Sequence, residues 1–309
     1  FMKPLLPPAL AALGLANAFA GTTAVAPLSP SPALSAPTDS GWEFTLGLYG
    51  YLVPTLVLPL GVVALWAFYD PAVGWFPPDI LPRSFSLSAW REVFADRHIL
   101  PSAALSLVIS TAVTCLTAVL AFPTAWALAQ FPFKLKRAVE VFVLAPMIVP
   151  GIVVAISLGE IFFTLRLSGT VFGVILVQTV GTLPLMIRIL AATLEGIPKE
   201  LLLAARTLGA SPRTAVLRIA VPLAWPGMLA GGLLNFIASF EEFEKSFMVG
   251  SPKVQTLAVR LWTYLGGEIL VLPTAAVVTF ILLVPMIVIF FIAERLMRED
   301  VMAAGLGKL

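Results

Sequence analysis

The chain has 309 residues, 59% of them hydrophobic and 12% charged, with a mean hydropathy of +0.99 and a net charge of +2. Soluble domains carry about 45–50% apolar and roughly 25% charged residues, so the composition is that of a membrane protein. The near balance of charge argues against a nucleic-acid partner, and the single cysteine, Cys115, rules out an internal disulfide or a cysteine-based metal cluster.

In chain order, Lys3 and the apolar run Leu5 to Ala20, closing on Ala18-Phe19-Ala20, resemble a secretory signal. An uncleaved extension with a short apolar patch at the membrane is expected instead, because cleavage would invert every later loop. Pro27 to Asp39, rich in Pro, Ser and Ala, reads as a linker. Residues 1–40 are thus an N-terminal extension, 41–300 a transmembrane domain and 301–309 a tail. A span needs about 20 mostly apolar residues. Six segments qualify: Gly47 to Phe68, Ala103 to Leu128, Ala138 to Phe163, Thr170 to Ala192, Met228 to Met248 and Leu270 to Ile292. Pro146, Pro150 and Pro184 interrupt the third and fourth, and such kinks are tolerated in a packed bundle. Cys115 lies in an apolar run and is expected to be buried.

Lys134, Lys136 and Arg137 follow the second span, Arg188, Lys199, Arg206, Arg213 and Arg218 surround the end of the fourth, and Arg295, Arg298 and Lys308 follow the sixth. Short loops rich in Lys and Arg stay in the cytoplasm. That puts both the polar stretch 195–227 and the C-terminus inside.

That stretch is punctuated as a helical hairpin. Glu200 to Leu208 has helical spacing, with Leu201, Ala205 and Leu208 on one stripe. Gly209 suits the left-handed residue after a helix. Ala210 leads to Ser211, an N-cap, with Pro212 at the first helical position. A second helix, Arg213 to Ala220, is expected to stop before Pro222. Small Ala204 and Ala205 allow close approach of another surface, and Arg206 adds charge at the edge.

The hairpin resembles the EAA loop of permeases from ATP-binding-cassette (ABC) importers. Ala204, Ala205, Gly209, Ile219 and Pro222 fall in the family register. Leu203 stands where glutamate is usual and Val221 replaces leucine. Glu200, one turn earlier, is a candidate substitute for the missing acid. The resemblance runs from about Phe85 to Arg298. It is greatest to spermidine/putrescine-type permeases, through Ser86-Leu87-Ser88-Ala89-Trp90, Ser239-Phe240-Glu241-Glu242-Phe243 and Gln255-Thr256-Leu257 to Trp262. It implies an all-α membrane protein, a bundle of about six transmembrane helices of the type I importer class with a cytoplasmic coupling hairpin, in the bacterial inner membrane. It also implies its partners: an ABC ATPase dimer carrying ATP and Mg, a second permease subunit (the same chain or a sister), and an extracellular solute-binding protein. No cofactor is expected on this chain.

Within the fifth span, Asn235, Ser239, Glu242 and Ser246 fall on one polar stripe, and Glu241 and Lys245 are spaced to pair at i and i+4. Ionisable groups in spans usually face a cavity or a partner. Glu242, with Glu241, is therefore a candidate attractor for a cationic solute, polyamine-like by the resemblance. Ferric iron, aminoethylphosphonate, thiamine and opines are the alternatives from related permeases, and contact with the sister permease is the structural alternative. Glu160 is a lesser candidate for the pathway, and Arg260 and Trp262 for contact with a binding protein. No phosphate-cradling loop precedes Gly307-Lys308, and His98 is the only histidine, so no enzyme activity is expected. A carrier driven by an ion gradient would need acids deep in several spans or broken-helix repeats, whereas the acids here concentrate in the fifth.

Overall fold

The computed structural model describes residues 40–75, 78–266 and 272–306. The expectations for residues 1–39 and for Lys308 lie outside them. The chain divides into residues 1–58 and 59–309. The first unit is described from Ser40, the start of helix α1 (Ser40–Phe68). In the second unit, α2 (Ser88–Ala95) leads into α3 (Ile99–Gln130), a long apolar helix with Pro123 inside it. α4 (Lys136–Ile148), α5 (Gly151–Thr164) and α6 (Val171–Glu195) follow. Next come α7 (Lys199–Thr207), α8 (Pro212–Ala215), a π-helical turn (Val216–Ala220) and α9 (Val221–Phe240). α10 (Glu244–Gly250), α11 (Leu257–Leu265) and α12 (Leu272–Leu306) complete the chain.

Among the described residues, five helical stretches are long and apolar enough to cross a membrane: Tyr49–Phe68, Ile99–Gln130, Val171–Glu195, Pro212–Phe240 and Leu272–Ile292. α4 and α5 pass the same test only as a pair, bent by 99° at their break, and make a sixth span if the pair is counted as one. The bend is far sharper than the kink expected of the third span. Val149 precedes proline and is extended (ψ 133°), and Pro150 is extended too (ψ 133°), so the helix stops and restarts at Gly151.

Two further expectations are corrected. The second helix of the hairpin does not stop before Pro222 but runs on, so that Pro212–Phe240 is one 29-residue helix. Proline in a helix removes an N–H and presses on the carbonyl four residues back. Here the preceding turn widens to absorb this, with the Val221 N–H bonded to the Val216 carbonyl five residues back. The fifth span, conversely, ends earlier than expected: its helix stops at Phe240 and α10 is a separate element.

α3, α6 and α9 pack together at the centre. One apolar cluster gathers Ala121, Leu128, Leu190, Leu194, Ala220 and Ala224, where α3 and α6 end and α9 begins. Another gathers Val93, Ile99, Phe236, Phe240, Leu257 and Val277 around α2, α11 and the end of α9. Buried polar side chains, among them Thr117, Gln178, Thr182, Asn235 and Ser239, lie on α3, α6 and α9 between these ends. Cys115 is exposed, not buried. It lies in an apolar groove of about 500 Å³ with Thr114, Met228 and Gly232.

Candidate functional site

The hairpin follows its punctuation. α7 closes with the Ala210 N–H on the Ala205 carbonyl and the Gly209 N–H on the Arg206 carbonyl, both at 3.0 Å. This double closure requires a left-handed residue, and Gly209 has a φ of +88°. Ser211 Oγ accepts the Thr214 N–H at 3.2 Å, and Pro212 opens α8. α7 buries Leu202 against the cluster around Leu194, while Leu201, Leu203 and Leu208 face outward, Leu208 being 89% exposed. The stripe foreseen through Leu201 and Leu208 is therefore an exposed apolar surface. Glu200 is exposed in the first turn of α7, where the helix dipole favours an acid. Ala204, Arg206 and Pro222 are exposed, and Ala205 and Ile219 half-buried.

The other end of the same long helix is the break Glu241–Phe243. Glu241 ends α9, its N–H on the Ile237 carbonyl at 3.1 Å, and its side chain is exposed. Glu242 pairs with Lys245, Nζ to Oε2 at 2.5 Å, and its Oε1 accepts the Lys245 backbone N–H at 2.9 Å. Glu242, not Glu241, is thus the partner of Lys245, because the helix that would have set an i, i+4 pair ends before Glu241. Lys245 crosses α6 over Gly181, where an added Cβ would stand 2.7 Å from its Cε. The Glu244 carboxylate lies directly on Gly151, the first residue of α5, in space that only glycine leaves open. An acid at that helix start is favoured by the helix dipole. The breaks α4/α5 and α9/α10 therefore meet at one point.

Beneath them runs a buried chain of hydrogen bonds. Ser239 Oγ donates to Gln178 Oε1, Gln178 Nε2 donates to Ser246 Oγ at 2.7 Å, and Ser246 Oγ donates to the Glu242 carbonyl at 2.9 Å. α6 thereby stitches α9 to α10 across the break. Gln178 was missed by the sequence reading, although a lone amide in an apolar span is itself a signal. Asn235 is fully buried, and among the described residues neither of its amide atoms has a hydrogen-bond partner.

Above the break, Phe243 packs against Trp262 of α11 with ring centroids 5.1 Å apart and the planes tilted by 36°. Tyr264 of α11 donates its hydroxyl to Asp96 Oδ2 at 2.7 Å. Burial and the neighbouring carboxylate push the Tyr264 hydroxyl up to about 12. Burial alone would raise Asp96, but the His98 backbone N–H and the Tyr264 hydroxyl outweigh it and hold the carboxyl below its ordinary range. Glu160 is exposed near the end of α5 in a separate pocket with Lys253, away from this break.

Residues 121–299 match the family described as "Binding-protein-dependent transport system inner membrane component". The chain belongs to this family. It is 28% identical to the sulfoquinovosyl glycerol transport system permease protein SmoH of Agrobacterium fabrum, over 76% of this chain and 81% of that one. It is 29% identical to the spermidine/putrescine transport system permease protein PotC of Escherichia coli, over 83% of this chain and 93% of that one. Its fold matches the crystal structure of a bacterial ABC transporter that imports the acidic polysaccharide alginate, with a TM-score of 0.66, 16% identity and coverage of 86% and 99%. The protein is therefore a multi-pass inner-membrane permease subunit of an ABC importer.

Proposed function

We propose that this permease moves a small polar cation, polyamine-like in charge, by alternating access, with ATP hydrolysed on a separate ATPase dimer that grips the hairpin 195–227. The observation that carries this reading is the single helix Pro212–Phe240, with the exposed hairpin at one end and Glu241 at the other. The hairpin lies inside with the C-terminus, by the distribution of Lys and Arg. A second permease and an extracellular binding protein complete the assembly, the latter delivering solute from the side of α2 and α11.

The cation attractor is Glu241. Glu242 is already neutralised by Lys245, and Glu244 is held at the start of α5. Glu241, Glu242, Glu244 and Lys245 still sum to −2 at the break. The relatives' solutes differ: PotC is named for spermidine and putrescine, SmoH for sulfoquinovosyl glycerol. The acid-rich break favours the cation. Proteoliposomes holding the whole importer and its binding protein should take up radiolabelled putrescine only with ATP, and Glu241→Gln should lower that uptake about tenfold or more, as for loss of one charge interaction of about 1.4 kcal/mol. Wild-type uptake by the variant would remove Glu241 from the pathway, and uptake driven by an ion gradient without ATP would sink the ATPase reading.

A further inference from the structure

The two breaks that meet beside Glu244 are made differently. The α4/α5 break is fixed by Pro150 and Gly151. From Ser239 to Met248 the chain holds neither proline nor glycine, so its backbone chemistry does not stop a helix there. Glu241 (φ −87°, ψ −3°) and Phe243 (φ −97°, ψ −52°) both keep right-handed helical angles, which confines the break to Glu242 between them. Side chains hold it open. Glu242 Oε1 accepts the Lys245 N–H, which a continuous helix would give to the Glu241 carbonyl, and Lys245 Nζ closes on Oε2. The Lys245 and Glu242 side chains are only 11% and 14% exposed. Gly181, beneath Lys245, lies about 15 Å along α6 from Val171 at 1.5 Å per residue, so the pair sits inside the span. Glu241, one residue away, is exposed and has no cation within ion-pair distance among the described residues.

We infer that Lys245 is a tethered competitor for the solute: when α9 and α10 join into one helix, its ammonium passes from Glu242 to Glu241 and expels the cation held there. In the broken form Lys245 is on Glu242, at i+3, and Glu241 is open. In a continuous helix Glu241 and Lys245 stand at i and i+4, the spacing of a helical ion pair with its acid on the N-terminal side. The change needs rotation at Glu242, and Lys245 has room to move because a glycine of α6 lies under its stem. Leaving a charge unpaired inside a span is costly, so an ammonium that moves straight from one carboxylate to its neighbour takes the low-cost route. A lysine ammonium on its four-carbon stem is also the same chemical group as the end of an alkyl diamine, so it competes for Glu241 on equal terms. The release role rests on the reading of Glu241 as the solute's acid; the helix switch does not.

The test uses the assembled importer with its binding protein, spin-labelled at Leu234→Cys and Met248→Cys in a Cys115→Ser background. One helix sets these positions about 21 Å apart at 1.5 Å per residue. Across the nucleotide-free and vanadate-trapped states, double electron–electron resonance should resolve two separations, one of them that of the single helix. Lys245→Met and Glu241→Gln should each cut that population about tenfold, as for loss of one charge pair, whereas Glu242→Gln should raise it. A single unchanged separation, or equal losses in all three variants, would overturn the switch. In the unlabelled importer, Lys245→Met should hold about tenfold more radiolabelled putrescine after washing and import about tenfold less, with Lys245→Arg restoring both. The neutral Lys245→Met/Glu242→Gln variant leaves neither member of the pair charged and should stay defective; restored import would show that the pair only supports the fold. If wild type neither holds nor imports putrescine while the separations shift as stated, the switch stands, and the reading of Glu241 as the solute's acid fails together with the release role.

Discussion

Asn235 sits fully buried in α9 with an amide that finds no hydrogen-bond partner among the described residues, while Ser239 one turn on and Gln178 of α6 satisfy one another. An unsatisfied buried amide costs about 1–3 kcal/mol, and an apolar group of similar shape removes that cost. A residue kept at such a cost has a use in another arrangement of the helices. Asn235→Leu should therefore raise the chain's unfolding free energy by about 1–3 kcal/mol while lowering ATP-driven uptake. The two readouts, thermal unfolding in detergent and uptake in proteoliposomes, must move in opposite directions. If stability and uptake fall together, the amide is an ordinary structural group.

At the scale of elements, the breaks and their tethers carry the argument. Gly151→Ala puts a methyl where the Glu244 carboxylate lies, and because that carboxylate is the end of a flexible side chain that can swing away, the cost is at most about 1 kcal/mol, the low end for overpacking. Adding Glu244→Ala frees the space, so the double variant should be more stable than Gly151→Ala alone; simple additivity of the two losses would show that the contact does not matter. The tether of α11 is tested by pH. Asp96 has a lowered folded value, so its contribution is present above the unfolded value of about 3.9 and is lost as pH falls below it. Tyr264 has a raised one, so its contribution is present below about 10 and lost as pH rises from there toward about 12. The stability gap between wild type and Tyr264→Phe should be about 1.5–3 kcal/mol and flat from roughly pH 5 to 9, closing at both ends. A gap that stays constant at pH 11 would contradict the assignment. Much of this level was legible beforehand. Gly209, Ser211 and Pro212 announced the hairpin because each acts on its own local backbone. The sharp break at Pro150 was read as a mere kink, because a proline's local preference does not state how far the chain turns. The end of α9 at Phe240 was hidden, since Glu241 to Met248 keeps helical spacing and only its contacts with α5, α6 and α11 show the break. The Glu242–Lys245 pair and Gln178's role followed from that end and were hidden with it.

At the scale of the molecule, one helix joins the two regions that matter. At 1.5 Å per residue, the 29 residues of Pro212–Phe240 span about 43 Å, against a hydrocarbon core of about 30 Å. The surplus lets the hairpin stand clear of the bilayer while Glu241 remains at the far end. A rod of this kind turns at one end when it is turned at the other, provided it has no soft joint. The π-helical turn Val216–Ala220 is where its bonding changes step, with Pro222 just beyond it and Pro226, which also lacks an N–H, one turn further on. A π turn carries one more residue than an α turn and so sets the hairpin's rotation, by about 100° per residue, relative to the acids. Pro222→Ala removes the clash that the wide turn absorbs and allows regular α-bonding. The variant should be as stable as wild type or more so, yet its hairpin should face a different direction from the surface an ATPase must grip. The assembled importer should then hydrolyse ATP with little stimulation by loaded binding protein, and the ATP spent per solute imported should rise. Unchanged stoichiometry, in a variant whose hairpin cysteine-labelling pattern has rotated, would show that docking tolerates the turn and that coupling does not pass along this helix.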